Sequence, residues 1–167
     1  MDRRTIVIGL ATSGLPLKAS AEAGQNRMDL DGTRLLLRHV DGRLEAEFTA
    51  PTDGWLAVGF NNATRLKDTR FVIGALQGGA FHAEERIAIG PDHRTVQSLG
   101  LLPAVQDVRG KVAPGRSTMA FSLPHAFPDT RNPSLTSGTT TYLMRAWSRH
   151  RDFEHHSAWR RHISLTL

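Results

Sequence analysis

Apolar and polar residues alternate over much of this chain, and the alternation is that of β-strands. Residues 33–40 form a leucine-rich run, Asp41-Gly42 is a two-residue turn signal, and residues 43–50 then alternate Leu44, Ala46, Phe48 and Ala50 with polar side chains. This pattern predicts a hairpin with one buried face. Pro51-Thr52-Asp53-Gly54 turns the chain into residues 55–60, a continuous apolar run suited to a strand buried on both faces. Further strands are predicted over 70–76, 81–83, 86–89, 105–112, 117–123, 140–148 and 160–167, with clean alternation at Met119, Phe121, Leu123 and at Ile163, Leu165, Leu167. Turn residues punctuate them at Gly78-Gly79, Gly90-Pro91-Asp92, Pro114-Gly115, Pro128-Asp129 and Ser137-Gly138. About nine or ten short strands with turns every ~8–12 residues predict an all-β fold, an antiparallel sandwich or barrel. No segment carries a sustained helical period, although residues 125–136 can hold a helical turn.

The first residues read differently. Asp2-Arg3-Arg4 precedes an apolar run from Ile6 to Leu17, and Lys18-Ala19-Ser20-Ala21-Glu22-Ala23 follows. A charged start, a short apolar core and an Ala-x-Ala exit predict an export signal over residues 1–23, cleaved at Ala21 or Ala23. The adjacent arginines add a partial match to a twin-arginine signal. Residues 24–167 are then one domain, without repeats or linkers, exported to the periplasm or secreted. No later segment is apolar for long enough to span a bilayer as a helix.

Composition adds mainly exclusions. The 167 residues contain no cysteine, so disulfides, thiolate metal sites and cysteine nucleophiles are ruled out. Without residues 1–21, which hold Arg3, Arg4, Lys18 and Asp2, 18 basic residues face 15 acidic ones, a formal charge of +3. Arg145, Arg149, Arg151, Arg160 and Arg161 cluster near the C-terminus. They read as a solvated sheet edge or as partners for phosphate or propionate groups. No basic helix, zinc ligand set or aromatic RNA-binding strand is present, so nucleic acid is not an expected partner.

Histidine carries the chemistry that remains. Four of the eight histidines lie at His150, His155, His156 and His162, amid Trp147, Phe153 and Trp159. Neutral imidazole binds haem iron, copper or zinc. On an extended backbone the adjacent His155 and His156 would point opposite ways, so one of them at most would face a shared pocket. Ser157 has no nucleophile elbow around it, and Asp68, Asp107, Asp152 and Glu154 are scattered without an acid–base spacing. No catalytic set emerges, and the chain is expected to bind a ligand without being an enzyme.

Several segments together carry a family resemblance. They are Gly54-Trp55-Leu56-Ala57-Val58-Gly59-Phe60, residues 66–74, Phe121-Ser122-Leu123-Pro124, Arg145-Ala146-Trp147 and Asp152-Phe153-Glu154-His155-His156-Ser157. In order and spacing, residues 28–167 resemble a DOMON domain. The resemblance implies an immunoglobulin-like two-sheet β-sandwich that holds haem b or a sugar between or beside its sheets. In the haem-binding branch, such as the cytochrome part of cellobiose dehydrogenase, a methionine and a histidine ligate the iron. His156 matches the histidine position and Leu66 matches the methionine position, where leucine cannot ligate. The resemblance further implies a pocket walled by Trp55, Phe60, Phe71, Met144 and Trp147. Two readings follow: a haem protein for electron transfer or redox sensing, with a periplasmic or membrane redox partner, or a metal-free module for a carbohydrate or other small ligand.

Overall fold

Eleven strands form two antiparallel sheets in the computed structural model, which describes residues 25–129 and 133–167. The expected export signal at residues 1–23 lies outside the described residues. In chain order the strands are β1 (Gln25–Leu30), β2 (Thr33–Val40), β3 (Arg43–Ala50), β4 (Leu56–Asn61), β5 (Arg70–Gln77), β6 (Ala80–Ala88), β7 (His93–Thr95), β8 (Gln106–Ala113), β9 (Arg116–Pro124), β10 (Thr140–Trp147) and β11 (Trp159–Thr166). One sheet has the order β1-β2-β3-β9-β8 and the other β11-β10-β4-β5-β6-β7. The all-β, two-sheet architecture is as expected. Among the described residues there is no α-helix, only a 3-10 turn at Gln97–Leu99, and no helix long and apolar enough to cross a membrane.

The β2–β3 hairpin shows how local chemistry sets register. Asp41 and Gly42 both take positive φ, 46° and 77°, the backbone of a tight turn whose twist matches its strands. That turn pairs Leu35 with Phe48 and Leu37 with Ala46, and β9 adds Met119, Phe121 and Leu123 on the same face. The other sheet answers with Leu56, Val58 and Phe60 of β4, Val72 of β5 and Leu143 of β10, which closes one inter-sheet core. Each such side chain contributes about 1.5–3 kcal/mol by leaving water.

β1 and β7 were not expected from the sequence, and β6 departs from the expected pattern. The predicted pieces 81–83 and 86–89 are one strand, β6, because Glu85 pairs with Val72 and turns its carboxylate inward. There it accepts from Arg70 Nε and from the backbone N–H groups of Ala104 (2.6 Å) and Val105 (3.0 Å). Arg70 also donates to Asp129 (2.7 Å) and to the Leu102 carbonyl (3.0 Å), and lies 4.3 Å from the centroid of the Phe127 ring. Both partners are almost wholly buried. Such a pair adds little by existing, yet breaking it strands a charge in low dielectric. Glu85→Gln is therefore expected to cost about 3 kcal/mol in unfolding free energy, read from the urea midpoint.

At the β2–β3 end, His39 Nδ1 lies 2.9 Å from His125 Nε2, and His39 Nε2 is buried without a partner among the described residues. Burial, followed by the neighbouring His125, holds the His39 pKa below 6.5. Below that value the unfolded chain takes up a proton that the folded protein refuses, so the stability present above about pH 6.5 falls as the solution is acidified. Melting temperatures between about pH 5 and 7 are expected to drop with acid, and less steeply for His39→Leu.

Candidate functional site

The second sheet is apolar on both faces at its centre, and the site lies on the face turned away from the sandwich. All six residues of β4 are buried. While Leu56, Val58 and Phe60 point inward, Trp55, Ala57, Phe71, Ile73, Ala75, Met144 and Ala146 gather on the outer face with Phe153 above them. Cross-strand register builds this floor by setting Met144 opposite Gly59, Gly59 opposite Phe71, and Ala57 between Ala146 and Ile73. A Cβ on Gly59 would come within 2.5 Å of Phe71 Cβ, so the small residue lets the larger neighbours close together.

The segment 148–158 folds over one end of the floor because Trp55 anchors it. The Trp55 N–H donates to His150 O (2.8 Å), its carbonyl accepts from Ser148 N–H (2.9 Å), and its indole N–H donates to His155 O (3.1 Å). Thr52 Oγ1 adds a bond to Ser148 O, and its own oxygen accepts from Gly54 N–H at 2.9 Å. Gly54 is required for this approach. A Cβ there would meet Ser148 O at 2.2 Å, the Arg149 carbonyl carbon at 2.6 Å and His150 O at 2.7 Å.

The opposite wall comes from the loop that carries Leu66 and from the β6–β7 turn. Asn61, buried, donates through Nδ2 to Arg65 O (2.8 Å) and Lys67 O (2.9 Å), while its Oδ1 accepts from Asn62 N–H (2.7 Å). The Asp68 N–H donates to Ala88 O (2.8 Å), and Ala88 pairs with His93, which places Leu66 and His93 on one side. Arg86 connects this wall to the covering segment. Its Nη1 reaches His93 Nδ1 (2.8 Å) and Glu154 Oε1 (2.7 Å), its Nε reaches Glu84 (2.8 Å), and it lies 5.5 Å from the centroid of the Phe153 ring. Burial first, then the adjacent Arg86, keeps the His93 pKa below 6.5.

Between floor and walls lies a cavity of about 90 Å³. Trp55, Leu66, Phe71, Met144 and His156 all line it. Phe60 and Trp147 do not: both face the inter-sheet core, because each is an odd number of residues from a floor residue and side chains alternate along a strand. Both His155 and His156 line the cavity, contrary to the expectation that at most one would, since segment 148–158 turns back on itself and is not an extended strand. His155 is engaged, stacked 4.0 Å from His150 and 3.3 Å from Asp152 Oδ2. His156 is exposed at the rim and makes no hydrogen bond with any described residue. His162 pairs with Met144 across β10–β11 and is not among the lining residues, and no cluster of three metal-binding side chains occurs among the described residues.

Sequence reasoning did not single out His93. The Gly90-Pro91-Asp92 turn immediately before it was the available signal, since it ends one strand and begins a three-residue strand at the cavity mouth. Of the arginine cluster, Arg145 is buried, not solvated, and Arg160 lines the cavity.

These residues fit haem on one side of the iron only. An unengaged imidazole, apolar walls and a rim guanidinium at Arg160 are present, and Leu66 offers no donor. A hollow of about 90 Å³ is below the ~300–1,000 Å³ of ordinary ligand sites, so a macrocycle does not fit it as it stands.

No protein-family model matches the sequence, and no curated protein is similar to it. Solved structures share its fold, two cytochrome domains among them. The cytochrome b domain of pyranose dehydrogenase from Coprinopsis cinerea superposes with a TM-score of 0.56 at 8% identity, over 84% of this chain and 80% of that one. The cytochrome domain of Myriococcum thermophilum cellobiose dehydrogenase gives 0.56 at 8% identity, over 86% and 81%. The resemblance expected from sequence therefore holds at the level of the fold.

Gly54→Ala is expected to push segment 148–158 off Trp55. It should destabilise the protein by about 1–3 kcal/mol, as overpacking does, and speed amide exchange selectively at Ser148 and Ala158.

Proposed function

We propose that this protein binds haem b through His156 and serves as an exported one-electron carrier or redox sensor, not an enzyme. The observation that carries the reading is an unengaged imidazole at the mouth of an apolar cavity, on a fold shared with two cytochrome domains. Haem so held would supply a one-electron couple at its iron. The chain's own residues supply the rest. His156, whose side chain makes no hydrogen bond with any described residue, would hold the group. Trp55, Phe71, Ile73 and Met144 exclude water from the macrocycle face, and Arg160 meets a carboxylate at the rim. Leu66, on the opposite wall, would offer such a group no donor. Export through a leader at residues 1–23 would place the protein in the periplasm or outside the cell, beside a periplasmic or membrane redox partner.

The carbohydrate reading is weaker because no tryptophan offers a free face. Trp55 is 5% exposed and bonded to His155 O, and Trp147 packs against the inter-sheet core. Trp159 bonds to Asp31 and has Arg145 and Arg161 beside its ring.

Haem titration of the full chain is expected to give a Soret band of five-coordinate, high-spin type that His156→Ala abolishes. Leu66→Met restores a thioether and is expected to shift the spectrum to low spin and raise the reduction potential. An absence of any Soret band in the wild-type chain rejects the reading.

A further inference from the structure

We infer that the hollow, at its present size, binds a short-chain monocarboxylate, with the carboxylate on Arg160 and the tail on an alanine floor. The site is the same cavity, but the inference does not rest on haem. One row of cross-strand partners runs from rim to floor. Arg160 of β11 pairs with Ala146 of β10, Ala146 with Ala57 of β4, and Ala57 with Ile73 of β5. Paired residues share a face of the sheet, so the Arg160 side chain rises on the cavity side, and it lines the cavity. Along the strands this row lies between Trp55 on one side and Phe71 and Met144 on the other. All three are larger than alanine, so the hollow follows the row.

The polar groups at the Arg160 end are uncommitted. Arg160 is exposed at the rim and enters no ion pair among the described residues. His156 and Ser157 also line the cavity, and their side chains make no hydrogen bond with any described residue. A planar fork of N–H groups matches a carboxylate, which only accepts. The acids that line the cavity do not compete for Arg160. Glu154 is held by Arg86 at 2.7 Å, and Asp92 belongs to the β6–β7 turn at the far edge of the sheet. A hollow of about 90 Å³ takes several water-sized groups, which suits a chain of about three to five carbons. From β11 to β4 is two strand spacings, about 10 Å, which an arginine side chain and a butyrate span together.

Butyrate titrated into the haem-free full chain at neutral pH, read from methyl proton–carbon spectra, tests this. Saturable shifts are expected at Ala57, Ala146 and Met144, with butyrate binding about tenfold more tightly than acetate and butylamine shifting none of them. Arg160→Gln is expected to weaken butyrate about tenfold. Arg161→Gln, on the other face of β11, is expected to leave it unchanged. Equal affinity for acetate and butyrate means surface ion pairing alone and overturns the inference. Binding of butylamine overturns it too, as does unchanged affinity in Arg160→Gln. Absent methyl shifts overturn it and leave the proposed function untouched, whereas a missing Soret band rejects that function and leaves the carboxylate site.

Discussion

A sheet that is apolar on both faces must be covered twice, and this requirement organises the molecule. Burial throughout β4 commits Leu56, Val58 and Phe60 to the sandwich interior and Ala57 and Gly59 to the outside. The inner face is closed by a second sheet. The outer face has only connecting segments to close it, and connecting segments bring backbone polar groups that need partners. Trp55 supplies them with its N–H, its carbonyl and its indole N–H, so one residue both fills the outer face and pays for its cover. The cover is incomplete between segment 148–158 and the Leu66 loop, and the gap is the cavity.

Two buried arginines show how differently the same group can be accommodated. Arg70 donates to a glutamate, an aspartate and a carbonyl, and its partner Glu85 also accepts from the backbone of Ala104 and Val105. That network draws the segment before β8 onto the sheet. Arg145 has only the Met28 carbonyl and Thr33 hydroxyl at 3.3 and 3.4 Å, and its Nε is buried without a partner among the described residues. Its pKa is lowered chiefly by burial, against the more distant charges of Asp31 and Asp29. Arg70 acts as a tie between elements, whereas Arg145 is a cost that the packing around β1 and Trp159 absorbs.

Strands with strict alternation and a clear turn were legible from sequence. β2 and β3 fall where the leucine run, Asp41-Gly42 and the Leu44–Ala50 alternation put them. β1 escaped although Asp31-Gly32 adopts the same positive-φ turn, because the strand itself is mostly exposed and carries little apolar pattern. The site was half legible. Parity alone separates Trp55, Phe71 and Met144 from Phe60 and Trp147, since five and three residues are odd offsets on a strand. His93 was not legible as a cavity residue, because its placement depends on Ala88 pairing and on Arg86, both long-range consequences of the sheet. Arg145 reads as surface by composition and becomes interior only through its register opposite Val58.

Arg86 makes the chemical character of the cavity independent of how open it is. Its link to the covering segment is through Glu154, whose side chain is 69% exposed, so that ion pair is weakly held. Its links to Glu84 and His93 lie within β6 and across to β7 and belong to the sheet. Outward movement of segment 148–158 would break the first and spare the others. Losing Glu154 would remove a negative neighbour that favours the charged imidazole, leaving His93 more firmly neutral. Thus the His93 wall is held by the sheet itself, while the segment that carries His156 is held by Trp55 and by one exposed ion pair.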